Sequence, residues 1–87
     1  MTLKELKEAL KDNEISYSYI STAELVNIYK FVNVNLQMDS QTLDYYYEID
    51  VEELLNSDFP SSELETLKKQ GWAFNKENNF LNLYLKN

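Results

Sequence analysis

Val32-Asn33-Val34-Asn35-Leu36-Gln37-Met38 and Leu43-Asp44-Tyr45-Tyr46-Tyr47-Glu48-Ile49-Asp50-Val51 are two runs of alternating character, separated by Asp39-Ser40-Gln41-Thr42. A period of two belongs to a strand with one side against a core and the other in water. The stretch therefore predicts a β-hairpin. Parity sets its register, because a slip of one residue would turn an apolar side toward solvent. Apolar meets apolar when Met38 faces Leu43, Leu36 faces Tyr45, Val34 faces Tyr47 and Val32 faces Ile49. The outward pairs are then Gln37 with Asp44, Asn35 with Tyr46, and Asn33 with Glu48.

Upstream, Val26 and Ile28 continue the parity of Val32, interrupted only by Lys30. Their β-branched side chains favour a strand over 25–38, bent or bulged because of its length. Ser21-Thr22-Ala23-Glu24 offers a competing helical cap, with Leu25, Ile28, Tyr29 and Val32 behind it, so a short helix before Val32 stays open. Ile15, Tyr17 and Tyr19 alternate with Ser16 and Ser18 and predict a half-buried strand. At the start of the chain, Thr2 and Glu5 have capping-box spacing for a helix whose stripe is Leu3, Leu6, Ala9 and Leu10. Asp12-Asn13 ends it.

Downstream, Asp50 and Glu53 repeat the capping spacing for a short helix through Leu54 and Leu55, broken by Ser57-Asp58-Phe59-Pro60. Ser62 and Glu65 open another helix carrying Leu64 and Leu67. Gly71 closes it in the left-handed conformation, with Trp72 packing back on Leu67. Trp72-Ala73-Phe74, a polar turn over 75–79 and the run 80–85 predict a closing hairpin. Leu81, Leu83 and Leu85 share one side of its second strand; Phe80, Asn82 and Tyr84 share the other. The fold class is α+β: one mainly antiparallel sheet of about five strands, with hairpins near 32–51 and 72–85 and two or three helices packed on one face. Residues 1–87 are read as a single small domain.

Composition closes many functional classes. With 87 residues, 44% hydrophobic content and one Trp, four Phe and seven Tyr, there is material for one packed core. A chain of this length buries about 60–70% of its unfolded surface. There is no Cys and no His, which excludes disulfides, thiolate or imidazole zinc sites, and Ser-His-Asp or Cys-His nucleophiles. The chain carries no GxxxxGK[ST] or GxGxxG motif, and its single Gly cannot build a phosphate loop. Carboxylate pairs are plentiful, but glycoside chemistry needs a cleft for which so small a core leaves little room. No enzyme activity and no cofactor are expected. Asp44, Glu48, Asp50, Glu52 and Glu53 would suit Ca²⁺ or Mg²⁺. Yet alternate strand side chains stand about 7 Å apart, so separate solvated carboxylates are the reading and no metal is expected.

No stretch approaches the ~18 continuous apolar residues that span a bilayer. The first residues lack the profile of a signal peptide, and the lack of Cys agrees with a reducing cytoplasm. Fifteen acids against eight Lys give a net charge of −7, which argues against nucleic acid or an anionic membrane as a direct partner. Abundant Asn and Lys without any Arg point to an A/T-rich coding sequence, such as a low-GC bacterium or its phage carries.

The distribution of charge says most about function. Between Lys30 and Lys68 there is no basic residue, while Asp39, Asp44, Glu48, Asp50, Glu52, Glu53, Asp58, Glu63 and Glu65 all fall there. One reading is a wet, solubilising face whose acids block edge-to-edge pairing. The other is a docking surface for a basic protein, formed by Asp44, Tyr46, Glu48, Asp50, Glu52 and Glu53, with Tyr46 supplying exposed aromatic area. A specific form is a small phage- or mobile-element-type inhibitor that places carboxylates where DNA phosphates would lie. The alternative is a homo-oligomer, an assembly protein joined by apolar and aromatic contacts including the Phe80, Asn82 and Tyr84 side of the last strand.

Overall fold

A computed structural model of the chain describes residues 1–18, 22–75 and 79–85. The expected strand residue Tyr19 and most of the turn over 75–79 lie outside the described residues. Helix α1 spans Leu3–Leu10, and its capping box closes in both directions. The Glu5 amide donates to Thr2 Oγ1 at 3.1 Å, and the Thr2 amide donates to the Glu5 carboxylate at 3.0 Å. Two free amides of the first turn are thereby satisfied. Leu6 and Leu10 are buried, Ala9 is half-buried and Leu3 lies at the exposed rim of the stripe.

The strand expected over 25–38 is not formed. Strand β1 is Tyr17–Ser18, a 3₁₀ turn over Thr22–Leu25 runs into α2 (Val26–Tyr29), and only Asn35–Met38 is extended, as β2. The helical alternative wins because it buries Leu25, Ile28 and Val32 while leaving Lys30 in water. A strand would have carried Lys30 inward beside Ile28 and Val32 and turned Leu25 to the opposite side. Burying each large aliphatic contributes about 1.5–3 kcal/mol, against propensity differences of about 1 kcal/mol. Ile15 and Tyr17, expected half-buried, are exposed.

Strand β3 is Tyr45–Asp50, helix α3 is Val51–Asn56, helix α4 is Leu64–Gln70, and β4 (Ala73–Asn75) and β5 (Phe80–Leu85) close the chain. Among the described residues the four α-helices exceed the two or three expected by α2. The five strands form a mixed sheet in the order β1-β5-β3-β2. Strand β4 lies beside β1 along the same edge of β5, each pairing with a different part of it. Three pairings are antiparallel and β1–β5 is parallel. The register puts Ile49 opposite Leu81 and Tyr47 opposite Leu83, all on one side. That side merges with Leu6, Leu10, Ile28, Leu54 and Leu67 of the helices in one core.

Half of the second capping box forms. Asp50 accepts from the Glu53 amide at 3.2 Å, whereas the Glu53 carboxylate turns to the Asn33 amide at 3.1 Å and ties α3 to the entry of β2. The Ser62–Glu65 cap does not form, because Ser62 sits inside a 3₁₀ turn, Ser61–Glu63, whose Glu63 amide donates to Pro60 O. The end of α4 follows expectation. Gly71 has φ +98°, its amide donates to Lys68 O, and the Trp72 amide donates to Leu67 O. Trp72 is fully buried with Nε1 on Gln70 Oε1 at 2.9 Å. Asn13 Nδ2 donates to Trp72 O at 2.7 Å and to Lys68 O at 3.1 Å, stapling the exit of α1 to that of α4.

Trp72 is thus the largest side chain that the core encloses completely. Trp72→Ala is expected to cost about 3–5 kcal/mol in chemical denaturation. A loss below about 1 kcal/mol would contradict its place in the core.

Candidate docking surface on the 33–53 hairpin

The β2–β3 hairpin forms, but its register differs from expectation by two residues. Met38 pairs with Tyr45, Leu36 with Tyr47, Gln37 with Tyr46 and Asn35 with Glu48. An even shift keeps every side chain on its assigned side. The shift arises because Leu43 and Asp44 belong to the loop. Asp39 organises that loop with four bonds. Its amide donates to Asp44 O and its carbonyl accepts from the Leu43 amide, each at 2.8 Å. Its Oδ1 accepts from the Gln41 amide at 2.9 Å and the Thr42 amide at 3.3 Å. These amides, with the Tyr84 hydroxyl, hold the Asp39 carboxyl below the usual carboxylate range. Closing the loop this way leaves Leu43 at φ +63°, a left-handed conformation unfavourable for a leucine.

On the outer side of the sheet, Tyr17, Tyr84 and Tyr46 form a row across β1, β5 and β3. Tyr17 meets Tyr84 edge-on with centroids 6.0 Å apart, and Tyr46 stacks on Tyr84 at 4.8 Å. The hairpin loop reaches this row. Tyr84 donates to Asp39 Oδ2 at 3.0 Å, and Tyr17 donates to the Asp44 carboxylate. Burial, then the Asp39 bond and charge, pushes the Tyr84 hydroxyl up to about 12.

The expected site residues divide between two elements. Asp44, Tyr46, Glu48 and Asp50 share the outer side of the hairpin, while Glu52 and Glu53 lie exposed in the first turn of α3. Tyr46 is half-buried by its stacking, not the exposed aromatic the sequence suggested. Glu48 is half-buried between Asn35 and Asn82, and burial, reinforced by Asp50, raises its carboxyl above the ordinary value. Asp50 caps α3, and Glu53 braces Asn33. Among the described residues the donors to these acids are neutral hydroxyls and amides, so they leave the carboxylate charge in place. Among the described residues the ion pair formed is Lys11–Glu8 at 2.7 Å; no ammonium lies within ion-pair distance of Asp44, Glu48, Asp50, Glu52 or Glu53.

The inner side of the hairpin departs from expectation more strongly. Its base is covered, with Ile49 buried and Tyr47 and Val34 packed on the core. Its tip is not: Leu36 is 55% exposed, Met38 52%, Leu43 65% and Tyr45 46%. Alternation places all four on the core-facing side, but it cannot reveal how far the helices extend along a strand. The Phe80, Asn82 and Tyr84 side is also less available than expected. Asn82 is buried, its Oδ1 accepting from Asn75 Nδ2 at 2.9 Å. Among the described residues no three carboxylates gather around one metal position, and no helix is long and apolar enough to cross a membrane.

The raised Tyr84 hydroxyl makes stability pH-dependent in a defined direction. An unfolded tyrosine loses its proton near pH 10 and folded Tyr84 near 12. The stabilising contribution is complete below pH 10 and is lost as pH rises through about 12. Denaturation followed from pH 9 to 12 should show stability falling across this window, and less steeply in Tyr84→Phe. Equal slopes would exclude Tyr84 as a cause.

The chain matches no protein-family model, no curated protein and no solved structure.

Proposed function

We propose that this chain is a non-catalytic, cytoplasmic protein-interaction module that engages a basic protein surface through the acidic side of its 33–53 hairpin. The observation that carries this reading is the absence of any ammonium within ion-pair distance of Asp44, Glu48, Asp50, Glu52 and Glu53 among the described residues. A row of charges left uncompensated speeds encounter with an opposite field and disfavours partners of like sign. Two local costs in the same hairpin lend support. Glu48 keeps a carboxylate in surroundings that disfavour its charge, and Leu43 keeps a left-handed backbone while largely exposed. Departures of this kind concentrate where a surface serves something besides folding.

A more specific form of the proposal is an inhibitor of phage or mobile-element type that occupies a nucleic-acid-binding site. Alternate strand positions space carboxylates ~6.8 Å apart, about two axial phosphate steps. Self-association is the second reading, favoured by exposed Leu36, Met38, Leu43 and Tyr45. A net charge of −7 on each copy opposes it.

A lysine homopolymer serves as a defined probe at low and high salt. The full chain is expected to bind it with a steep loss of affinity as salt rises. Asp44→Lys with Glu48→Lys should weaken binding about tenfold, from two pairs worth up to ~1 kcal/mol each. Asp58→Lys with Glu65→Lys changes net charge equally outside the hairpin and should retain most of the affinity. Equal losses in the two double variants would reduce the effect to bulk charge and remove the hairpin from the proposal.

A further inference from the structure

The outer edge of β2 is the feature that the acidic reading leaves unused. Strand β2 ends the sheet order. The Asp39 amide donates to Asp44 O, which marks 39 and 44 as a bonded pair. Bonded and non-bonded pairs alternate in an antiparallel ladder. With the observed register, Asn35 and Gln37 therefore bond toward β3, while Leu36 and Met38 turn their backbone N–H and C=O groups away from it. Among the described residues no hydrogen bond reaches the Leu36 or Met38 backbone from outside the ladder. The four residues of β2 include no Lys and no Pro, the residues that ordinarily blunt an exposed edge. An open edge bearing free donors and acceptors is a template for one more strand.

Side-chain alternation defines what such a strand would carry. A residue paired with Leu36 or Met38 would join the exposed apolar tip formed with Leu43 and Tyr45. Its sequence neighbours would project on the opposite side, beside Asn35 and Gln37. Carboxylates stand there: Asp39 at one end of β2, Glu53 bonded to the Asn33 amide at the other, and Glu48 across from Asn35. Glu48 lies two strand spacings, about 10 Å, from an added strand, which a Lys or Arg side chain can bridge over the short Asn35. Resting on the basic-partner reading above, we infer that the open edge of β2 accepts an extended segment of the partner by strand addition. The segment alternates apolar residues, seated on Leu36 and Met38, with Lys or Arg facing Glu48 and Asp39. A second copy of this chain is the wrong occupant, because it brings its own acidic hairpin to the same place.

The test uses the full chain and three synthetic peptides: alternating Lys and Val, alternating Glu and Val, and the Lys–Val peptide N-methylated at its valines. The Lys–Val peptide is expected to bind and to protect the Leu36 and Met38 amides from hydrogen exchange. N-methylation of the valines should weaken binding about tenfold or more, since each lost ladder bond costs up to about that factor. Leu36→Pro should do the same, because proline at an outward-facing edge position removes the donor without breaking the β2–β3 ladder. Undiminished, salt-sensitive binding of the N-methylated peptide would overturn strand addition while leaving the acidic docking reading standing. Equal binding of the Glu–Val peptide would overturn the basic-partner reading itself. Protection of Leu36 and Met38 that rises with protein concentration alone would make a second copy the occupant and overturn the proposal.

Discussion

Strand β5 bonds to β3 along one edge and to β4 and β1 along the other, so most of the sheet depends on its position. Its Leu81 and Leu83 are fully enclosed, and the buried side chains of α1, α3 and α4 join them in one core. Trp72 enters that core immediately before β4, held by the Schellman-type bonds at Gly71 and by Asn13. A side chain added at Gly71 would meet strain from φ +98° and would stand 3.4 Å from a Leu83 methyl group. The turn therefore couples the helix end to the central strand. Among the described residues the buried side chains form one core, so a misplaced β5 would disturb all of it.

Against that centre, the hairpin is a peripheral element with its own organiser. Asp39 uses its amide, its carbonyl and both carboxylate oxygens, binding the loop on one side and Tyr84 of β5 on the other. A charged acceptor gives stronger hydrogen bonds than a neutral one. One residue thus sets the loop length and anchors the loop over the tyrosine row. The left-handed Leu43 and the half-buried Glu48 are tolerated within this frame.

Much of the fold was legible in the sequence because periodicity and caps act locally. Thr2 with Glu5, Gly71 with Trp72, and the parity of Leu36, Met38, Tyr45 and Tyr47 all hold in three dimensions. What local pattern could not supply was competition between distant elements. Residues 25–32 satisfy both periods, and the choice fell to whichever left Lys30 outside. Hairpin register was uncertain by two because parity is blind to even shifts; only the Asp39 bonds distinguish the alternatives. The candidate site was half legible for a related reason. Acid segregation is visible in one dimension, but the tasks of Asp50 and Glu53, the stacking of Tyr46 on Tyr84 and the exposure of Leu36 and Met38 depend on elements far away in the chain.

The acidic side and the open edge answer one another physically. An uncharged edge with apolar neighbours is an aggregation hazard when nothing limits what may pair with it. Here the limiting element lies beside the strand, on Asp39, Glu48 and Glu53, with no ammonium within ion-pair distance of them among the described residues. Two copies approaching edge to edge would bring like charges together at both ends of β2, whereas a strand bearing Lys or Arg meets attraction at the same points. Backbone bonding is common to every strand and cannot discriminate among them. Charge can discriminate, and it acts at a distance, before any backbone bond forms. The carboxylates would then govern which strand arrives, and Leu36 and Met38 would govern how long it stays.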